Sequence, residues 1–217
     1  MGKMPADNPF AVYTGEYEDW FEKYPMVFKA ELKAVKSLLP AGSALEVGVG
    51  SGRFAVPLQV AAGIDPCPEM LTLARGRGVR TALGRAEALP LSTACFDCLL
   101  LITVLCFLPE PERALSEARR VLRPGGHLVL AFIDRHSPLG REMNRHREKS
   151  NFYRRAHFYS IDEVLVLLKG AGFKDFSCCQ TVFRPLAAID AGEEVRTGCG
   201  EGTFVVVRAR AAVGNGL

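Results

Sequence analysis

An acid closes an apolar run and glycines follow at alternate positions in Ala44-Leu45-Glu46-Val47-Gly48-Val49-Gly50-Ser51-Gly52-Arg53-Phe54. Residues of these types at this spacing can hold a polar ligand. Backbone without side chains lets a ligand approach closely, and N–H groups at a helix start point toward it. Ser43 to Val47 reads as a short buried strand and Arg53 to Val60 as the helix it feeds, so the glycines form the turn between them. The register Gly50-Ser51-Gly52-Arg53-Phe54-Ala55 also satisfies the dinucleotide pattern, in which an acid binds a ribose. Gly52 has a second use in close packing of helix on strand.

Glu46 and Asp65 separate the candidate ligands. A dinucleotide would deliver a pyrophosphate to this turn, where the Glu46 carboxylate would repel it. S-adenosylmethionine carries no phosphate; it brings an ammonium, a sulfonium and a ribose diol. Asp65, in Ala62-Gly63-Ile64-Asp65-Pro66, ends the next apolar run, where it could accept both ribose hydroxyls.

With these residues the chain resembles the class I S-adenosylmethionine-dependent methyltransferases, in their small-molecule, ubiquinone-biosynthesis-like branch (methyltransferase type 11). The resemblance covers roughly residues 10 to 210, and four further blocks match in order. Gly63 to Pro66, continuing through Met70 and Leu71, is similar to the ribose-binding block. Gly84-Arg85-Ala86-Glu87-Ala88-Leu89-Pro90-Leu91 is similar to the adenine-binding block, with Arg85 departing from the acidic or small residue often found there. Phe96-Asp97 through Phe107-Leu108 is similar to the strand and loop that face the methyl group. Arg120 through Leu128, with Pro124-Gly125-Gly126, is similar to the helix-to-strand turn of this branch. The resemblance implies S-adenosyl-L-methionine as cofactor and S-adenosyl-L-homocysteine as product. It implies Glu46, Val47, Gly48, Gly50, Gly52, Asp65, Pro66, Met70, Ala86, Glu87, Thr103, Val104 and Phe107 as cofactor-binding residues.

The elements that must position these residues alternate between helical and strand patterns, which argues for a parallel sheet covered on both faces. Strands are expected at Ser43 to Val47, at the run ending in Asp65, at Val79 to Leu83, Phe96 to Ile102, His127 to Asp134, Phe173 to Phe183 and Thr203 to Arg210. Helices are expected at Met26 to Leu39, after Asp65 to Gly78, at Glu110 to Leu122 and from the Ser160/Glu163 capping box to Gly170–Gly172. The last two strands have no helical pattern between them and so pair antiparallel. The fold class is α/β, a Rossmann-like doubly wound seven-stranded sheet with strand 7 antiparallel; the resemblance implies the order 3-2-1-4-5-7-6 and an N-terminal helical lid.

One methyltransferase domain fills 1–217: lid helices at 10–40, a cofactor half at 43–134, a substrate-side insertion at 135–159 and a C-terminal helix and hairpin at 160–210. A loose tail follows at 211–217.

Phe10, Tyr13, Tyr17, Phe21 and Tyr24 fall on one helical stripe with Trp20 beside it. Such a face packs on a core. The resemblance gives it a second role as a lid in which Tyr17 and Trp20 meet the methionine end or the sulfonium. Ala86 and Glu87 either meet the adenine edge or start a helix; Thr103, Val104 and Phe107 either line the cofactor or pack a loop. Cys95 and Cys98 have metal-ligand spacing without a second pair, and alternate across a strand as small apolar residues do, so no metal is expected.

The segment 134–159 carries Arg135, Arg141, Arg145, Arg147, Lys149, Arg154 and Arg155 against Asp134, Glu142 and Glu148. It follows a strand end, where ligands of open α/β sheets sit. Either it is a solvated basic surface, or its guanidiniums, Arg154 and Arg155 foremost, hold an anionic small molecule. His136 and His157 are candidate general bases, and Asp134 could orient an amine.

The net charge of +3 does not by itself imply nucleic acid. The run Cys98 to Leu108 is shorter than the roughly 20 residues a bilayer requires, and Met1-Gly2-Lys3-Met4-Pro5 shows no signal pattern. Seven cysteines without a framework spacing fit a reducing cytoplasm. Three classes remain: methylation of a small metabolite, methylation of RNA or protein, and a nicotinamide-dependent or non-catalytic nucleoside-binding relative.

Overall fold

The computed structural model describes residues 8–212; the Met1–Pro5 stretch and positions 213–217 of the expected tail lie outside them. Its middle layer is a sheet of β1 (Ala44–Val47), β2 (Ala62–Asp65), β3 (Thr81–Leu83), β4 (Phe96–Ile102), β5 (Leu122–Ile133), β6 (Phe173–Thr181), β7 (Arg196–Thr197) and β8 (Phe204–Ala211). The strand order is β3-β2-β1-β4-β5-β8-β6-β7. From β3 through β5 the pairing is parallel, and β8 runs antiparallel between β5 and β6. The expected order and the antiparallel last strand are therefore present. The eighth strand is β7, two residues that pair Cys179 with Thr197 and Gln180 with Arg196. A pair so short leaves no apolar alternation to read.

Burial on both faces explains the near-continuous apolar runs of β4 and β5. Leu99, Leu101, Leu128 and Leu130 face a layer with Ala114, Leu115 and Ala118 of α5 (Pro111–Val121) and Val164 and Leu168 of α7 (Ile161–Gly170). Cys98, Leu100, Ile102, Val129 and Ala131 face the layer of α3 (Pro25–Leu38). The Ser160/Glu163 capping box opens α7 with both reciprocal bonds made.

Three local expectations are corrected. Arg53 to Val60 is a series of turns, with scattered bonds such as Val56 N to Gly52 O at 3.2 Å. Pro57 has no N–H to give and interrupts the ladder. The aromatic stripe is broken at Tyr13 into α1 (Pro9–Val12) and α2 (Thr14–Lys23). Pro124-Gly125-Gly126 lies inside β5, where a register irregularity absorbs it.

Candidate functional site

The glycine turn is pinned from behind: Gly48 and Val49 both donate to the Ile64 carbonyl, at 2.7 and 3.0 Å. Asp65, at the end of β2, accepts from Gly50 N at 2.9 Å and from Cys67 N at 2.8 Å. Its carboxylate thus sets the turn and keeps lone pairs for further donors. Burial raises its pKa, and those two N–H bonds work against the rise.

Glu46 is 2% exposed, and its Oε2 has no hydrogen-bond partner. Burial, then the neighbouring Asp65 charge, pushes its pKa well up. A buried acceptor without a donor costs about 1–3 kcal/mol, which a ligand bringing donors and positive charge would relieve. An ammonium does both and a pyrophosphate does neither. The residues present therefore fit S-adenosylmethionine.

The glycines differ in what their missing Cβ atoms leave room for. A Cβ on Gly48, where φ is +76°, would lie 2.2 Å from Val104 Cγ2, so this glycine admits the loop after β4. On Gly50 it would lie 3.2 Å from the Tyr17 hydroxyl. Gly52 faces Val79 at 3.1 Å and Ala74 at 3.4 Å, which is packing against α4 (Pro68–Gly76) and the turn after it.

Tyr17 comes down from α2 onto this turn. Burial, then the charges of Glu46, Glu18 and Asp65, keep its hydroxyl protonated as a donor. Trp20 packs edge-on against Phe21 at 5.1 Å and lies tilted against Tyr24 at 5.8 Å. Val47 and Met70 are buried; Val47 belongs to the core on the α5 side. Pro66 is half-buried between Asp65 and α4.

Ala86 and Glu87 are buried; Glu87 Oε1 has no partner, while Oε2 lies 3.4 Å from Arg85 Nε. This second orphaned acceptor stands where the adenine edge was expected. Thr103, with φ of 53°, donates its N–H to Ala131 O at 2.8 Å and turns the chain back after β4.

Beyond Thr103 lies a narrow cavity lined by Thr103, Cys106, Phe132, Tyr153, Phe158 and Tyr159. Tyr153 stacks on Phe107 at 5.7 Å and tilts against Phe158 at 5.3 Å. Burial, then Cys106 and then Glu31, raises the Tyr153 pKa. Glu31, half-buried, lies one helical turn from Val27 and one from Val35 on α3, both of which are buried. Among the described residues it makes no hydrogen bond or ion pair, and burial pushes its pKa up to about 8. Sequence reasoning missed Glu31 and Tyr153. The legible signals were an acid inside an apolar helical stripe and an aromatic pair inside a basic run.

The substrate-side candidates spread apart. Asp134 is buried, accepts from His136 N at 2.8 Å and holds the corner into α6 (Pro138–His146). The His136 side chain is exposed, and its carbonyl accepts from Arg141 at 2.5 Å. His157, also exposed, donates its backbone N–H to Cys106 O at 2.8 Å and lies edge-on to Tyr159 at 4.5 Å. Arg135 pairs with Glu163 at 3.0 Å, and Arg147 donates to Asn144 at 2.9 Å. Arg154 and Arg155 point outward while Tyr153 between them and Phe152 is turned in. No basic residue lines the cavity.

Comparison with known proteins bears on the fold and the family. Residues 45–130 match the type 11 family model described as a methyltransferase domain. A crystal structure from Thermotoga maritima, described as an S-adenosylmethionine-dependent methyltransferase and possible histamine N-methyltransferase, is 45% identical. The match covers 94% of this chain and 98% of that one, with a TM-score of 0.92. An uncharacterized protein of Methanocaldococcus jannaschii is 40% identical over 202 residues, 93% of this chain and 98% of the relative. An uncharacterized methyltransferase of Mycobacterium bovis is 34% identical over 139 residues, 60% of this chain and 54% of its own length. An acid-lined glycine turn, a sheet of this order and relatives that match nearly end to end lead to one conclusion: the chain belongs to the S-adenosylmethionine-dependent methyltransferases.

Proposed function

We propose that the chain methylates a small amine that enters by widening the aromatic cavity beyond Thr103, which as it stands has room for about one water. The observation that carries this reading is the pairing of that cavity, which has no basic lining residue among those described, with the acid of Glu31, which makes no hydrogen bond or ion pair among the described residues and whose charge bears on Tyr153. Aromatic faces and one acid suit an ammonium, which gains about 0.5–2 kcal/mol over a ring. The name of the Thermotoga relative, a possible histamine N-methyltransferase, points the same way.

Bound S-adenosylmethionine supplies a methyl group already activated on a sulfonium. The chain's part is binding and orientation: Glu46 takes the ammonium of the cofactor, Asp65 the ribose hydroxyls, and Ala86 with Glu87 the adenine edge. Tyr17 shields the turn from above and donates its hydroxyl. Holding two reactants in line is worth about 7–11 kcal/mol in favourable cases. Glu31, whose pKa burial raises to about 8, orients the acceptor amine, and the acceptor nitrogen gives up its proton to solvent before its lone pair attacks. His136 and His157, both exposed, pass that proton to solvent at most.

The test is an acceptor panel of amines, histamine among them, with carboxylates and phosphates, followed by S-adenosylhomocysteine release. Turnover confined to amines supports the reading. A preference for a carboxylate or phosphate overturns it and returns Arg154 and Arg155 to the acceptor site; turnover only of RNA or protein overturns the small-molecule reading.

A further inference from the structure

We propose that Glu18 is a positioning residue, whose ion cluster with Arg53 and Arg77 clamps α2 onto the glycine turn, keeps Tyr17 over Gly50 and slows cofactor release. The proposal rests on the cofactor reading given above and does not depend on the acceptor.

One carboxylate gathers two guanidiniums rooted in different segments. Glu18 Oε2 accepts from Arg53 Nε at 2.9 Å, with Arg53 Nη2 at 2.6 Å, and also accepts from Arg77 Nη2. Arg77 then donates through Nη1 to the Ser51 carbonyl at 2.7 Å. Arg53 is the residue after Gly52, and Arg77 caps α4. The cluster therefore ties the lid helix, the turn and the end of α4 at one point.

Solvent reaches these side chains only in part. Glu18 is 19% exposed, Arg53 22% and Arg77 30%, against 75% for Glu22, which reaches Arg53 from the rim at 3.1 Å. Exposed pairs contribute about 0–1 kcal/mol and are screened by salt, while partly buried networks are screened less. Burial by itself would raise the Glu18 pKa, yet Ser51, Arg77 and Arg53 bring it below its usual value. The Ser51 hydroxyl is buried without an aligned partner and lies beside the same carboxylate.

Without the Glu18 charge, Arg53 and Arg77 would face each other as like charges behind the turn. Apart from the exposed pair of Glu22 with Arg53, the remaining ties of this lid are of other kinds. Phe10 meets Phe107 at 5.2 Å, Tyr17 meets Phe152 at 6.4 Å, and Asn151 donates to exposed Glu16 at 3.1 Å. Apolar contacts are nearly indifferent to salt. The Glu18 cluster thus supplies the salt-sensitive part of lid closure, and Tyr17, the next residue back, carries it to the site.

Trp20 is the chain's single tryptophan and lies on α2, so its fluorescence reports the lid. The experiment is stopped-flow release of S-adenosylhomocysteine from full-length protein and from Glu18→Gln, at low and high salt, with hydrogen exchange over α2 in the ligand-free forms. Expected are release about tenfold faster in Glu18→Gln, a salt dependence present in the unmodified protein and weakened in the variant, where the exposed Glu22–Arg53 pair remains, and faster exchange in α2. Glu18→Asp should recover part of the slow release. Unchanged release, or faster release with the salt dependence intact, overturns the clamp. If the unmodified protein binds no S-adenosylhomocysteine, the cofactor reading fails; ligand-free exchange then decides the clamp, and equal exchange in α2 overturns it.

Discussion

Around the glycine turn the contacts come from backbone and two acids within twenty residues, whereas around the cavity they come from side chains at the end of β5, in the loop after β4 and in the segment after β5. Asp65 takes the Gly50 and Cys67 N–H groups, and Gly48 leaves room for Val104 alone. At the other end Tyr153 meets Phe107 and Phe158, and Glu31 acts from more than a hundred residues away. A site made of backbone is fixed by its fold. One made of side chains can be respecified while the fold stands, which is what separate acceptors on a shared cofactor frame require.

The comparison breaks most sharply at Asp65. Asp65→Ala should weaken S-adenosylhomocysteine binding by about 3 kcal/mol or more, at roughly 1.5–3 kcal/mol for each charge-assisted bond lost, while the Gly50 and Cys67 donors lose their acceptor. Calorimetric titration checks it. Gly48→Ala comes next: strain at φ of +76° and a 2.2 Å clash with Val104 should cost about 2–3 kcal/mol of stability. Denaturant unfolding of Gly48→Ala alone and with Val104→Ala reads the clash separately, since the second change should restore part of the loss.

Glu31→Gln sharpens the other half. It should raise the KM of the amine acceptor about tenfold with the cofactor KM unchanged. The same group bears on stability against pH. Its folded pKa, raised by burial to about 8 from 4.5, means the folded state keeps a proton that the unfolded state loses. Stability of the unmodified protein therefore falls, relative to Glu31→Gln, as pH rises between those values, and is level outside them. Melting temperatures of the pair from pH 4 to 9 test the sign. The smallest effect is expected from replacing both Arg154 and Arg155 by Ala, with less than about 1 kcal/mol of stability lost and amine turnover unchanged; a raised acceptor KM would show that the basic stretch reaches the cavity.

Legibility in the sequence follows the same division. Glu46, the glycines and Asp65 were readable because strand end, turn and next strand are contiguous, and the Ser160/Glu163 box because a cap is local. Arg53 to Val60 looked helical by composition, yet Pro57 removes a donor from its middle. The basic run 135–155 suggested an anion site by count of charge. In the fold Arg135 is spent on Glu163 and Arg147 on Asn144, and Tyr153 turns inward instead. Glu31 stayed hidden because its neighbours are set by how α3 lies on β5, β6 and β8.

The measurement that bears most directly on the cofactor end is a calorimetric titration of the purified protein with S-adenosylhomocysteine, run beside NADH and repeated with Glu46→Gln. One saturable site for S-adenosylhomocysteine, no comparable binding of NADH, and a clear loss of affinity in Glu46→Gln are expected, since Glu46 Oε2 is the orphaned acceptor that the ligand ammonium completes. Tighter binding of NADH, or S-adenosylhomocysteine affinity untouched by Glu46→Gln, would contradict the assignment of this turn.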